Sequence, residues 1–399
     1  MVGPATHVTV GYTGRLGRTV QCHYREDWSV THPTTTRYVG LDVHKSSIVI
    51  AVADGEGGPA TILATIPNDF ASLAKALHHL GPTERLSCCY EAGPTGYGLY
   101  RQLKAAGFRC CVIAPSLVPV QSGNRVKTDR RDAAKLAHFL RSGDLTTVHV
   151  PDEATEAIRD LERAREDAKR AEQVARHQLA KFLLRHGRRY EGKLNWNTAH
   201  LAWIGKQQFA QPSQQQVLTD YLVAVEQATE RVRRLTSALT EQAAAWRLFP
   251  LVQALQALRG IELVSAVTIV AEVEDFARFA QAKDLMAYVG LVPSEHSSGA
   301  SRRQGRVTRT GNGRVRRILV EAAWCYRFRP RLSKTIGKRN ELVAPGVRKI
   351  AWKAQQRLHG RLLRLTQRGK AKQQAVTAVA RELAGFIWAI AREPALLAG

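Results

Sequence analysis

Four acidic residues stand where a carboxylate has no obvious packing role. Asp42 lies inside the apolar run VGLDV, Glu91 follows LSCCY just before a Gly-Pro turn, and Asp129 and Asp132 belong to KTDRRDA. Strand alternation sets Asp42 on the face opposite Leu41 and Val43. An acid placed there is costly unless it is paired or metal-bound. The i, i+3 spacing of Asp129 and Asp132 puts both on one helix face. Carboxylates that converge repel each other unless a divalent cation neutralises them, and magnesium is the hard cation suited to oxygen ligands. Such an ion serves phosphoryl chemistry by clamping the attacking and leaving oxygens. Each acid also has a bland account. Asp129 suits the first turn of a helix with Thr128 as N-cap, and Glu91 can simply end a strand. Taken together, the four read as one metal site. His44, two residues beyond Asp42, reads as an ordinary turn histidine ahead of a lining residue of that site.

A second constellation lies far along the chain. Ser297-Ser298-Gly299 precedes Arg302, Arg303, Arg306 and Arg309. Small residues let a phosphate approach the backbone, and guanidinium groups match it bidentately. A serine in that loop can attack a phosphodiester and hold the strand end covalently. Because no activating base is visible nearby, residue chemistry alone favours a phosphate-gripping loop without a covalent role. The turn at Gly260-Ile261-Glu262 offers two readings: backbone amides presented to a phosphate, or core packing.

The elements that must position these residues change character twice. Arg37–Asp54 predicts two strands around an HKSS turn, followed by a strand at Thr61–Ile66 and a helix at Asp69–Leu80. A strand at Leu86–Tyr90, a helix to about Ala106 and a strand at Phe108–Ile113 complete a mixed α/β sheet. After Pro151 the pattern is helical. Ala157, Leu161, Ala164, Ala168, Ala171, Ala175, Gln178 and Phe182 form one 4-3-4-3 series, and Leu218 to Trp246 a second. A long antiparallel coiled-coil arm or two helices of a bundle explains them equally well. From Leu251 the chain reads as an all-α domain, with Tyr288–Gly313 as loop. The expected division is a mobile, polar extension (1–36), an acid-bearing α/β domain (37–150), a helical arm (151–250) and a basic helical domain (251–399).

The charge names the partner class. Lys and Arg total 59 against 34 Asp and Glu, a net charge of +25. Between Ser301 and Lys370 there are 21 basic residues against Glu321 and Glu341 alone. Basicity so localised is the footprint of a polyanion, because phosphate neutralisation releases counterions. The apolar run Leu383–Ile390 is too short to span a bilayer, and the start of the chain has no signal-peptide core, so the cytoplasm is expected. Six cysteines without a C-x-x-C spacing argue against zinc and read as small buried hydrophobes of a reducing compartment.

Four blocks, GLDVHKSSIVIAVAD, YEAGPTGYGLYRQL, VKTDRRDAAKLAHFLRSG and YVGLVPSEHSSGASRRQGRVTRTGNGRVRRILVEAAW, occur in the order found in DEDD transposases of the insertion-sequence-110 family, which the chain resembles from Arg37 to Tyr326. The resemblance implies a RuvC-like (RNase H-type) domain, a coiled-coil region and a helical transposase domain with a catalytic serine. It puts the four acids on Asp42, Glu91, Asp129 and Asp132, with magnesium, and the serine on Ser298. It also implies DNA as substrate, a guide (bridge) RNA encoded within the element, and a dimer or tetramer with composite sites. The chain departs from the family at Gly260-Ile261-Glu262, where many members have Gly-Ile-Gly. Two alternatives remain open: a RuvC-like nuclease that never uses serine, and a non-catalytic nucleic-acid-binding protein.

Overall fold

The computed structural model describes residues 36–119, 128–298 and 301–397, with side chains left undescribed at 296–304, 395 and 397. The described residues fall into two compact units that divide between Asp152 and Glu153. The extension expected at 1–36 lies outside the described residues except for Thr36.

The first unit is built on a five-stranded sheet. Its strands are β1 (Arg37–Val43), β2 (Ser47–Asp54), β3 (Thr61–Pro67), β4 (Leu86–Glu91) and β5 (Arg109–Ile113), in the order β3-β2-β1-β4-β5. The first three strands are antiparallel, as the HKSS hairpin requires, whereas β4 and β5 run parallel to β1. Helices α1 (Phe70–His78), α2 (Gly98–Ala105) and α3 (Asp129–Ser142) complete it. Strand alternation sorts the core into two layers. Val39, Leu41, Cys88 and Tyr90 pack with Leu73, Leu77 and Leu103 of α1 and α2. Tyr38, Cys89, Cys111 and Ile113 pack on the other face with Ala133, Leu136, Ala137 and Leu140 of α3. Cys88, Cys89, Cys110 and Cys111 are free thiols wholly inside these layers, as expected of small hydrophobes. This mixed sheet, followed by a helical remainder, is the arrangement expected of a RuvC-like DEDD domain.

Gly40 fixes how closely α3 approaches. A Cβ there would collide with the Ala133 carbonyl and lie 2.5 Å from the Ala137 nitrogen and 2.9 Å from the Leu136 Cβ. The backbones of β1 and α3 therefore touch directly. Thr128 caps the helix, its hydroxyl accepting from the Arg131 amide at 3.4 Å, and Gly143 ends it at φ +77°. Sheet and helix thus meet at a defined depth and rotation.

The second unit opens with two 33-residue helices, α4 (Glu153–Arg185) and α6 (Pro212–Ala244), with α5 (Thr198–Gly205) between them. Arg165 donates to the Thr236 hydroxyl at 2.9 Å, and the Thr229 hydroxyl to Glu172 at 3.1 Å, so the pair is antiparallel. The second apolar series holds, with Leu218, Val225, Leu239, Ala243 and Trp246 buried. The first holds in part: Ala168, Ala175 and Phe182 are buried, and Leu161 and Ala164 half-buried. Ala157, Ala171 and Gln178 are exposed, and the packed face runs through Ile158, Glu162, Ala168, Glu172, Ala175, Leu179 and Phe182. Two buried glutamates occupy positions that a hydrophobic pattern assigns to solvent.

At its base the helix pair shares one core with α7 (Phe249–Leu255), α8 (Leu263–Val273), α9 (Ala282–Tyr288), α10 (Gly313–Ala323), α12 (Pro345–Gln367) and α13 (Lys372–Ala391), whereas α11 (Lys334–Glu341) lies outside that cluster. This part is not all-α. The segment read as loop contains a hairpin, β6 (Pro293–Ser298) and β7 (Ser301–Val307). Its strands are polar on both faces, so no alternation betrays them. Gly260 has φ +82°, and a Cβ on it would stand 2.8 Å from the Ala322 carbonyl of α10, which decides that turn in favour of packing. Among the described residues no helix is long and apolar enough to cross a membrane.

Candidate metal centre and serine hairpin

The carboxyl end of β1 carries Asp42, and α3 brings its first turn to the same place. The side-chain donor atoms of Asp42, His44 and Asp129 all lie within 4.8 Å of one another. The His44 Nε2 is 3.3 Å from the Asp42 Oδ2 and 3.4 Å from the Asp129 Oδ2. Asp42 is the sheltered member at 22% exposure, against 64% for Asp129. Its carboxyl is pushed above the usual range by burial first; Asp129 and Asp132 raise it further and His44 lowers it. Asp132, one turn along α3, is therefore close enough to act on Asp42 through its charge. Glu91 is not part of that cluster, and register sets it on the neighbouring strand. Leu41 pairs with Tyr90 across parallel β1 and β4, so Asp42 and Glu91 follow side by side at adjacent strand ends. Alternation puts both on the α3 face. Ligands of open α/β sheets bind beyond the carboxyl ends of strands, which is where these acids stand.

The set fits a divalent cation. Carboxylates from β1 and α3 converge beside the His44 ring, and the burial and like charge that push Asp42 up are what an ion of charge +2 offsets. His44 is more than the ordinary turn residue expected. The hairpin turn, closed by a His44 amide to Ser47 carbonyl bond of 2.9 Å, swings its ring between two carboxylates. Asn68 donates to the His44 carbonyl at 2.7 Å and holds that turn. The available signal is its i+2 spacing from Asp42, which keeps it on the acid-bearing face.

In the second unit, Ser298 is the last residue of β6 and pairs with Ser301 across the hairpin tip. Ser297 pairs with Arg302, and His296 with Arg303. Gly299 lies outside the described residues, as do the side chains of Ser298, Arg302 and Arg303. Arg306 and Arg309 are exposed. The base of the hairpin is fixed. Thr308 donates to the Val292 carbonyl at 2.9 Å, and Arg309, at φ +57°, to that of Gly290 at 3.1 Å. Arg316 donates from one nitrogen to the carbonyls of Val289 and Thr310, both at 2.9 Å. Asn312 caps α10 through the amides of Arg314 and Val315 and donates to buried Glu272 at 2.8 Å. Glu272 also receives Arg163 of α4 at 3.0 Å, and Arg314 pairs with Glu166. No sequence pattern signals this network.

Comparison with known proteins matches both units. A family described as transposase, of the DEDD IS110 type, matches residues 39–187, and one described as "Transposase IS116/IS110/IS902 family" matches residues 252–336. The y4qE protein of Sinorhizobium fredii is 46% identical over 358 residues, covering 89% of this chain and 88% of its own. The transposase for insertion sequence element IS1533 of Leptospira borgpetersenii is 31% identical over 337 residues, 84% of this chain and 97% of its own. The transposase for insertion sequence element IS1328 of Yersinia enterocolitica is 24% identical over 299 residues, 72% and 83% of the two chains.

Proposed function

Because the chain belongs to the IS110 family of insertion-sequence transposases, we propose that it breaks and rejoins DNA with two separate groups of side chains. Asp42, Glu91, Asp129 and Asp132 hold magnesium, and Ser298 is the nucleophile. In this reading residues 37–150 form the metal-holding domain, 151–250 the arm and 251–399 the serine-bearing body. The observation that carries the metal half is the delivery of Asp129 by α3 to within 4.8 Å of Asp42 and His44. When bound, the ion supplies charge stabilisation for a phosphoryl group in transfer. Asp42, Glu91, Asp129 and Asp132 position it, and Asn68 steadies the His44 turn beside them.

The serine step balances simply. The Ser298 Oγ forms a bond to phosphorus, the bond from phosphorus to the 3′ oxygen breaks, and the proton lost by serine is made good on the departing 3′ oxygen through solvent. The product is a phosphoserine link to the 5′ side and a free 3′ hydroxyl, and reversal rejoins the strand. Arg302, Arg303, Arg306 and Arg309, on or just after β7, are the proposed phosphate contacts. Support for Ser298 over Ser297 comes from its sequence position directly before Gly299, since a glycine leaves room for a phosphate to approach. Guidance by an element-encoded RNA, assembly as a dimer or tetramer, and action in the cytoplasm belong to the same reading.

Ser298→Ala and Ser297→Ala variants, incubated with element-end DNA, candidate guide RNA and magnesium, test it. Denaturation, digestion and mass spectrometry are expected to show a DNA-linked Ser298 peptide in the wild type and in Ser297→Ala. Cleavage retained by Ser298→Ala would replace serine attack with hydrolysis at the acid site alone.

A further inference from the structure

The far end of the long helix pair is a small folded knob with its own core. Leu179, Phe182, Ile204, Leu218 and Val225 form a cluster separate from the main core of the unit. Half-buried aromatics wrap it. His200 lies 4.6 Å from Tyr190 and stacks at 15° on Trp203, and its Nδ1 accepts from the Trp196 amide at 2.8 Å. Phe182 contacts His186, Phe209 and Tyr221. A helical hairpin needs only a short loop at its turn. Here 26 residues, from 186 to 211, build a platform instead.

What that platform displays is positive charge. Residues 181–206 contain six Lys and Arg and a single acid, Glu191. Lys181, Arg185, Arg188, Arg189, Lys193 and Lys206 are exposed, and none forms an ion pair among the described residues. The shaft behaves differently. Lys169 pairs with Glu172, Arg170 with Asp167, Arg176 with Glu172, and Arg233 with Glu230. Arg231 and Arg234 are the exposed shaft cations without an ion pair among the described residues, so what sets the knob apart is six such cations against one acid. The negative end of α4 accounts for one cation at most, Arg185 in its last turn. Two guanidiniums are also held in place. Arg185 lies 5.7 Å over the Phe182 ring, and Arg188 lies 5.6 Å over Phe209 and donates to the Gln208 carbonyl at 3.1 Å. Ring contacts fix a guanidinium without cancelling its charge, which lowers the entropy cost of meeting a phosphate.

We infer that the knob at residues 181–211 is a second nucleic-acid contact, gripping a phosphodiester backbone independently of the metal centre and of the basic tract 301–370. The ligand chemistry is a run of phosphates, met through side-chain cations and without base readout. DNA and structured RNA share that chemistry.

The test uses the full-length chain in chelator, so that it is insensitive to the metal-centre reading. Arg185→Gln/Arg188→Gln/Arg189→Gln is compared with a shaft control of equal charge change, Arg170→Gln/Arg231→Gln/Arg233→Gln. Binding of a labelled DNA duplex and a labelled RNA hairpin is followed by anisotropy from 50 to 200 mM salt, with circular dichroism to verify folding. The tip variant is expected to lower the log–log salt slope by up to about 2.7 on duplex, at about 0.9 for each phosphate no longer neutralised. The shaft control should leave it within error. A drop on RNA alone or on DNA alone identifies the ligand. Equal slopes for tip and shaft variants on both probes would overturn the inference.

Discussion

At the residue scale, Asp42 is held in an electrostatic conflict. Its burial and its acidic neighbours favour the protonated form, so its folded-state value is raised. The sign follows: a raised carboxylate favours folding below its unfolded value and opposes it once pH exceeds the folded value. At neutral pH, ionised Asp42 therefore weakens the metal-free protein. Asp42→Asn should abolish strand cleavage, by about 10²-fold or more if the electrostatic centre is removed. The same change should raise the metal-free melting temperature at pH 7, with the gain shrinking as the buffer is made acidic. Magnesium should raise the wild-type melting temperature and leave the variant unmoved. A variant that cleaves normally, or melts lower than wild type in chelator, would count against the site. His44→Ala removes the group that bridges Asp42 and Asp129, and is expected to lower the metal-free melting temperature while Asp42→Asn raises it.

At the scale of elements, close approach of backbones sets the geometry of the acid cluster. Gly40→Ala forces a methyl group against the Ala133 carbonyl and pushes α3 away from β1. Overpacking of this kind costs about 1–3 kcal/mol. The displacement also carries Asp129 and Asp132 off Asp42, so cleavage should fall further than stability explains. Titrating activity against temperature well below melting separates the two, and full activity in a folded Gly40→Ala chain would show that α3 tolerates the shift. The acids were legible in the sequence because VGLDV is an apolar strand with one misplaced charge, and KTDRRDA a capped helix start. The β6–β7 hairpin was not, since Ser, Arg and Gln alternate with nothing hydrophobic. The packed face of α4 departs from its expected series at Ala157, Ala171 and Gln178 for a related reason: Glu162 and Glu172 are buried, and pattern reading sends charges to solvent. Glu172 is satisfied by Lys169 at 2.6 Å and by the Thr229 hydroxyl, contacts no one-dimensional pattern contains. The two apolar series meet each other within one chain, with Val225 in the core of the knob. Val225→Asp should therefore melt the arm's tip, seen as reduced helicity, before it alters any assembly.

At the scale of the molecule, the acid cluster and the main positive charge reside in different compact units. The acids stand in the unit that ends at Asp152, and the 21 basic residues of the 301–370 tract in the unit that begins at Glu153. Part of that tract is spent inside the protein. Arg314 and Arg317 pair with Glu166, Arg339 with Glu262, and Arg357 and Arg361 with Glu382. The exposed remainder includes Lys334, Lys338, Arg348, Lys349 and Lys353. Affinity and cleavage should then separate under two independent treatments. Chelation should remove cleavage and change duplex affinity less than about twofold, because phosphate neutralisation by side chains needs no metal. Raising salt from 50 to 200 mM should weaken binding by about 10³-fold or more if six or more phosphates are met. Charge-neutralising substitutions at Lys334, Lys338, Arg348, Lys349 and Lys353 should flatten that dependence and leave the magnesium-induced rise in melting temperature intact. Affinity that collapses in chelator, or a salt slope unmoved by the five substitutions, would mean that the acid-bearing unit grips the DNA and that the basic tract serves another purpose.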